Sequence, residues 1–139
     1  MDKTQVTSKL MRITIPGAVV QPSRYSVPET IDRVQALLLA RGATIYARID
    51  QQAELRAVGR AIQPLHFLLF GNPRAGGPLL VVNPALALDL PLKIIAWADD
   101  QHQTWVAYNS AAYIEQRYTL PAFPSSPLEL APLLAQALG

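Results

Sequence analysis

The feature that most constrains the fold is a short apolar segment, residues 65–70, which ends abruptly in a segment rich in Gly, Asn and Pro. Its residues are hydrophobic except for His66. A run of this length and composition predicts a central strand that is covered on both faces. The chain must then turn sharply within residues 71–80, because Gly and Pro interrupt regular structure.

A helix is predicted upstream of this strand. Ser26 and Glu29 have the spacing of a capping box, Pro28 falls in the first turn, and Gly42 stands just past the expected end. Three apolar residues share one face of this helix and are expected to pack on the sheet: Ile31, Val34 and Leu38, against Ile45, Leu68 and Ile94.

The other strands and helices are shorter. Alternation in residues 43–49 predicts a strand with Ile45, Ala47 and Ile49 on one face. Asp50 is a plausible N-cap for a short helix, and Pro78 is predicted to begin another. The remaining predicted elements are a strand over residues 10–20, a hairpin of strands 92–98 and 104–108 with Trp97 and Trp105 near its open end, a helix over 111–118, a linker over 121–127, and a C-terminal helix over about 127–138 that a capping box at Ser126 opens.

This order predicts one α+β domain over residues 1–139, with a largely antiparallel sheet of about five strands and helices packed mainly on one face. The second sheet face would then remain apolar and uncovered, which monomers seldom tolerate. We therefore expect a homodimer, with large aromatic residues of the hairpin at its interface. The alternative is that the C-terminal helix folds back and covers this face within one chain.

Composition excludes several classes of function. The chain has no cysteine, so disulfides and thiolate chemistry are absent. No run of 18 uncharged apolar residues occurs, so we expect no membrane span. The amino terminus lacks the apolar core of a secretory signal, which favours the cytoplasm.

The distribution of charge argues against a nucleic-acid partner. Residues 1–60 hold nine Lys and Arg against five Asp and Glu, but these arginines are scattered and no aromatic residues alternate with them. We therefore interpret the basic half as ordinary solvated surface.

The sequence contains no convincing metal or cofactor motif. It has two histidines, and the Asp99, Asp100 and His102 of the hairpin turn are more typical of a solvated loop than of a zinc site. Phosphate-binding glycine loops and a nucleophile elbow are also absent. We expect no cofactor, no metal and no assigned catalytic residue.

Several motifs at characteristic spacing resemble the family known as domain of unknown function number 302. They are residues 25–30, 45–50, the Phe-Gly-Asn-Pro of 70–73, the Leu-Pro-Leu-Lys of 90–93, and finally Trp97 and Tyr108. The resemblance covers residues 25–118. It implies a small α+β fold with a layout similar to TATA-box-binding proteins, often self-associating, and it implies no activity.

The chain departs from the family pattern at three places, where Gln51, Leu65 and the Gly-Gly-Pro-Leu-Leu of residues 76–80 replace polar or soft side chains. If the family shares a chemistry, this member has lost part of it. The resemblance then leaves a residual site of Asp50, Asn72, Arg74, Asp89 and Lys93.

Two functions remain open. The first is a non-catalytic cytoplasmic module for small-ligand binding or self-association, with a pocket near the turn of residues 71–80 that could take a small anionic ligand. The second is a small enzyme that acts on an anionic metabolite, with His66 or Asp50 as general base and Arg74 and Lys93 holding the substrate. The plain structural readings are a hydrogen-bonded core histidine, an N-cap aspartate and an ordinary Asn-Pro turn.

Overall fold

The computed structural model describes residues 14–121 and 126–139. Five antiparallel strands form one open sheet in the order β1-β5-β4-β3-β2. The strands are β1 (Ala18–Ser23), β2 (Thr44–Asp50), β3 (Leu65–Gly71), β4 (Leu92–Ala98) and β5 (Thr104–Asn109). The helices are α1 (Val27–Ala40), α2 (Gln51–Ala57), α3 (Pro73–Val82), α4 (Ala111–Arg117) and α5 (Ala131–Leu138), and a 3-10 segment spans Pro84–Leu88. The predicted α+β class and antiparallel sheet are confirmed.

One face of the sheet carries the hydrophobic core. Leu68 of β3 lies opposite Ile94 of β4, and both side chains are fully buried beneath α1. Ile31 and Val34 of α1 are fully buried against them. Helices α3, α4 and α5 add side chains to the same cluster, so the predicted packing of helices on one face is confirmed.

The second face of the sheet is apolar but lies outside this core. On β3 it carries Leu65, Phe67 and Leu69, which are only partly buried and do not belong to the core cluster. The prediction that residues 65–70 are covered on both faces is therefore wrong, and the central strand is β4.

The first strand begins later than predicted. Residues 14–17 form a turn in which the Ala18 N–H donates to the Ile15 carbonyl at 3.0 Å, and residues 10–13 lie outside the described residues. Gly17 has φ +78°, which L side chains rarely adopt. A Cβ at this position would lie 2.3 Å from Cδ1 of Tyr113, because α4 packs directly on the turn.

A β-bulge corrects the predicted face of β2. The pairing with β3 shifts between Ile45, opposite Phe70, and Ala47, opposite Leu69. Ile45 therefore points to the core, whereas Ala47 and Ile49 point to the second face. The extra residue at Tyr46 reverses the alternation that the sequence pattern assumes.

Helix α3 begins five residues earlier than predicted. Asn72 caps it by accepting the Arg74 N–H at 3.0 Å, and Pro73 occupies the first turn. Pro78 consequently lies inside the helix instead of starting it. The sequence signal at Asn72 and Pro73 was a helix start and not only a turn.

The C-terminal helix also begins at a different residue. Ser126 accepts the Leu128 N–H at 3.2 Å and opens a turn, while α5 starts at Ala131 without a side-chain cap. Residues 122–125 of the predicted linker lie outside the described residues. Helix α5 packs on α1 of the same chain and buries Leu134 completely.

The predicted hairpin is confirmed, but its tryptophans lie at the other end. Trp97 pairs with Trp105, and a single further pair, Ala98 with Thr104, separates them from the turn of residues 99–103. The register of a hairpin is counted from its turn, so residues that flank the turn cannot lie at its open end. Within the described ranges, no helix has the length and apolarity needed to cross a membrane.

Candidate functional site

A cavity of about 600 Å³ lies where the end of α1, helix α3 and the C-terminal segment meet over the sheet. Phe70 of β3 and Leu92 of β4 line it from the sheet, and Leu38 lines it from α1. The C-terminal segment contributes three leucines: Leu128, Leu130 and Leu133. This volume is in the range of small-molecule sites in proteins.

Helix α3 lines the cavity with residues that have little or no side chain. Gly76 and Gly77 are adjacent, both line the cavity, and neither has a positive φ. A Cβ built on either residue would meet no atom within 4 Å. Glycine inside a helix costs about 0.5–1 kcal/mol relative to alanine. The backbone geometry therefore does not require these glycines, and their effect is to keep the cavity open.

Polar side chains of the cavity are few. Arg41, Tyr46, Asn72 and Glu129 line it, and Arg41 and Glu129 are its charged residues within the described part of the chain. Asn72 holds the start of α3 through the Arg74 N–H. A site with an apolar wall and a few polar groups suits a ligand that is itself mostly apolar.

The structure separates the residues that the sequence analysis grouped into one site. Asn72 lines the cavity, whereas Asp50, His66, Arg74, Asp89 and Lys93 do not. The Arg74 side chain is exposed on α3. Lys93 is on the second face of the sheet, with its Nζ 4.8 Å from the centre of the Phe67 ring.

Asp50 and His66 do lie together, at the opposite end of β3 from the cavity. Nε2 of His66 is 3.3 Å from Oδ2 of Asp50, and the two residues are cross-strand partners. Asp50 caps α2, because its Oδ1 accepts the Ala53 N–H at 2.9 Å. This hydrogen bond lowers the pKa of Asp50, and the nearby His66 acts in the same direction. The expected N-cap is confirmed.

Asp89 is held by two side chains of α4 and its C-terminal end. The Tyr118 hydroxyl donates to its carboxylate, and Nη1 of Arg117 lies 3.3 Å from Oδ2. The hydrogen bond to Asp89 raises the pKa of Tyr118. These contacts tie the end of the 3-10 segment to α4, so the Asp89 carboxylate already has two partners.

The sequence analysis missed Arg41, Gly76 and Gly77 as site residues. The pair of glycines was visible in the sequence, but it was interpreted as part of a turn because α3 was predicted to start later. Arg41 follows the last residue of α1, where the helix dipole alone accounts for a basic residue. In the described residues, no group of three or more His, Asp or Glu side chains could hold a metal ion.

Three curated relatives from Brucella share sequence with this chain. The chain is 36% identical over 104 residues to "Fluoride-specific ion channel FluC 1" of Brucella suis biovar 1, and the match covers 75% of this chain and 41% of the relative. The protein of the same name from Brucella abortus biovar 1 is also 36% identical, with 38% of its length covered. The chain thus spans about two fifths of these relatives.

The fold has a counterpart among solved structures. The crystal structure of an uncharacterised conserved protein, DUF302, from Bacillus stearothermophilus superposes with a TM-score of 0.73. It is 18% identical, and the superposition covers 89% of this chain and 97% of that one. The family called Domain of unknown function DUF302 matches residues 19–138, which is most of the sequence. The chain therefore belongs to that family.

Proposed function

We propose that this chain is a non-catalytic module that binds a small, mostly apolar molecule in the cavity beside α3. The proposal rests on the wall of the cavity that α3 forms. There, Gly76 and Gly77 leave open space that a side chain would occupy. Proteins otherwise fill such space, because close packing of the interior is stabilising.

An enzymatic role has less support. Asp50 and His66, the candidate general bases, lie away from the residues that line the cavity. Among the described lining residues the one carboxylate is that of Glu129, and its Oε1 accepts the Ala131 N–H at 3.0 Å. A general base must reach the proton that it removes, and none of the described lining residues is a histidine or an aspartate.

Filling the cavity tests the proposal. We expect Gly77→Leu to abolish the binding of Nile red, a neutral apolar dye, because the new side chain would extend into the space that the ligand occupies. Dye fluorescence in a titration measures the affinity, and urea unfolding shows that the variant remains folded. The matched control is Val81→Leu, which changes the same helix at a position 85% exposed.

Equal dye affinity in Gly77→Leu and the native protein would contradict the proposal. The dye would then be bound elsewhere, with the partly buried second face of the sheet as the alternative location.

We also propose that the second face of the sheet pairs two copies of the chain. Phe67, Ile95, Trp97 and Trp105 give it large apolar side chains, and they lie outside the core cluster. Helix α5 packs on α1, so it supports the core instead of covering this face. A twofold interface is self-complementary and would bury the same apolar residues from both copies.

The mass in solution tests this pairing. Light scattering at micromolar concentration is expected to give twice the 15.2 kDa of one chain. Trp97→Arg would place a charge at the proposed interface and should return the mass to that of one chain, whereas Leu88→Arg, at an exposed position of the 3-10 segment, should leave it doubled. A native mass near 15.2 kDa would contradict the dimer.

The channel activity in the names of the Brucella relatives is not part of this proposal, because the chain matches about two fifths of their length. The cytoplasmic location stays a prediction from the sequence.

A further inference from the structure

We infer that the ligand of the cavity is an amphiphile: an apolar chain with a carboxylate that binds Arg41. This inference rests on the proposed function and adds the chemical class of the ligand. The sequence pattern favoured Arg74 and Lys93 as the partners of an anion. Neither of them lines the cavity, whereas Arg41 does.

The Arg41 side chain lacks a charged partner in the described part of the chain. Its guanidinium donates to the side-chain oxygen of Gln136 on α5, which is neutral. Three other arginines of the fold do lie beside carboxylates: Arg33 near Glu29, Arg48 near Asp32 and Arg117 near Asp89. The contact with Gln136 thus holds the Arg41 guanidinium between α1 and α5 without neutralising its charge.

Glu129, the second charged residue of the cavity, already has a hydrogen-bond partner within the chain. The carboxylate of Glu129 accepts the Ala131 N–H at the first turn of α5, where a negative charge is favourable. A ligand cation would have to compete with this contact. An anion at Arg41 would instead gain a charge-assisted hydrogen bond from a planar group that suits carboxylates.

The rest of the wall selects against polar ligands. Leu38, Leu80, Phe70 and Leu92 offer no hydrogen-bond donors or acceptors from their side chains. Against these side chains a sugar or nucleotide would lose hydrogen bonds to water, which is unfavourable. An alkyl or similar apolar chain loses none, and its burial is favourable.

Three ligands of equal chain length separate these contributions: octanoate, 1-octanol and octylammonium. Calorimetric titration of the native protein is expected to give a dissociation constant for octanoate about tenfold lower than that for octanol, as a hydrogen bond to a charged group at an exposed rim would provide. Arg41→Gln should remove this difference, so that octanoate and octanol bind the variant with similar affinity. The matched control is Arg74→Gln, which removes an exposed arginine that does not line the cavity and should preserve the preference.

The outcomes distinguish the inference from the function on which it rests. Equal binding of all three ligands, or a preference for octanoate that survives Arg41→Gln, overturns the carboxylate assignment while leaving a binding cavity. Tightest binding of octylammonium also overturns it and points to Glu129. If none of the three binds and Gly77→Leu does not affect the dye, both the inference and the proposed function fail.

Discussion

Replacing Leu134 with alanine is expected to lower the free energy of unfolding by about 2–5 kcal/mol, the range for large-to-small changes in a packed core. Leu134 is 0% exposed and belongs to the same core cluster as Ile31 and Val34 of α1. Removal of its side chain would leave an empty space between α5 and α1, because neighbouring side chains relax only partly. Urea unfolding followed by circular dichroism measures the change.

The control for this prediction is the same substitution at an exposed leucine. Leu88 is 76% exposed, so Leu88→Ala should change the free energy of unfolding by less than roughly 0.5 kcal/mol. Equal effects of the two substitutions would show that the C-terminal helix does not dock on α1 as described.

The second large effect is expected at Gly17. Gly17→Ala should lower the free energy of unfolding by about 2–4 kcal/mol, since it adds the cost of a left-handed conformation to that of overpacking. The φ of +78° accounts for the first cost, and the position of the new Cβ 2.3 Å from Cδ1 of Tyr113 accounts for the second. Chemical denaturation again provides the measurement.

Gly59 and Tyr113 separate the two costs. Gly59 has φ +79° with no atom within 4 Å of a new Cβ, so Gly59→Ala should cost only the conformational part, about 1 kcal/mol. In a Tyr113→Ala background, the cost of Gly17→Ala in free energy of unfolding should fall to a similar value, because the clashing ring is gone. If Gly17→Ala cost no more than Gly59→Ala in the native background, the close contact between the turn and α4 would be disproved.

Elements with strong local signals could be predicted from the sequence. Ser26 and Gly42 mark the two ends of α1, and the observed N-cap bond from the Glu29 N–H to Ser26 Oγ is the one that the capping box implies. The hairpin was predictable because two apolar strands flank a short polar turn. These features depend on residues that are neighbours in the chain, so the local sequence pattern is enough to predict them.

The predictions that differ from the structure are those that depend on contacts between residues far apart in the sequence. The bulge at Tyr46 is set by pairing with β3, and it changes which side of β2 faces the core. Residues 65–70 are apolar enough for a strand buried on both faces, yet the described helices that contribute to the core do so on one face. Hydrophobicity alone cannot distinguish a covered face from one that is only partly buried.

The position of the pocket could be predicted, but its composition could not. The segment of residues 71–80 does line the cavity, as expected from the cluster of Gly, Asn and Pro. The opposite wall comes from residues 127–133, more than fifty positions later in the chain. Charged residues near the turn in sequence, such as Arg74 and Lys93, were therefore chosen over Arg41, which only the fold brings to the cavity.

Helix α3 has a consequence for the route by which a ligand reaches the cavity. Two adjacent glycines lower its intrinsic helicity, and Pro78 has no N–H with which to continue the ladder of backbone hydrogen bonds. Leu79 is its one buried residue, whereas Val81 and Val82 are exposed to solvent. Local unfolding is least costly where helices are poorly held, so we expect this wall of the cavity to open more readily than α1. We therefore expect a large ligand to enter by transient fraying of this wall, with no hinge between rigid parts.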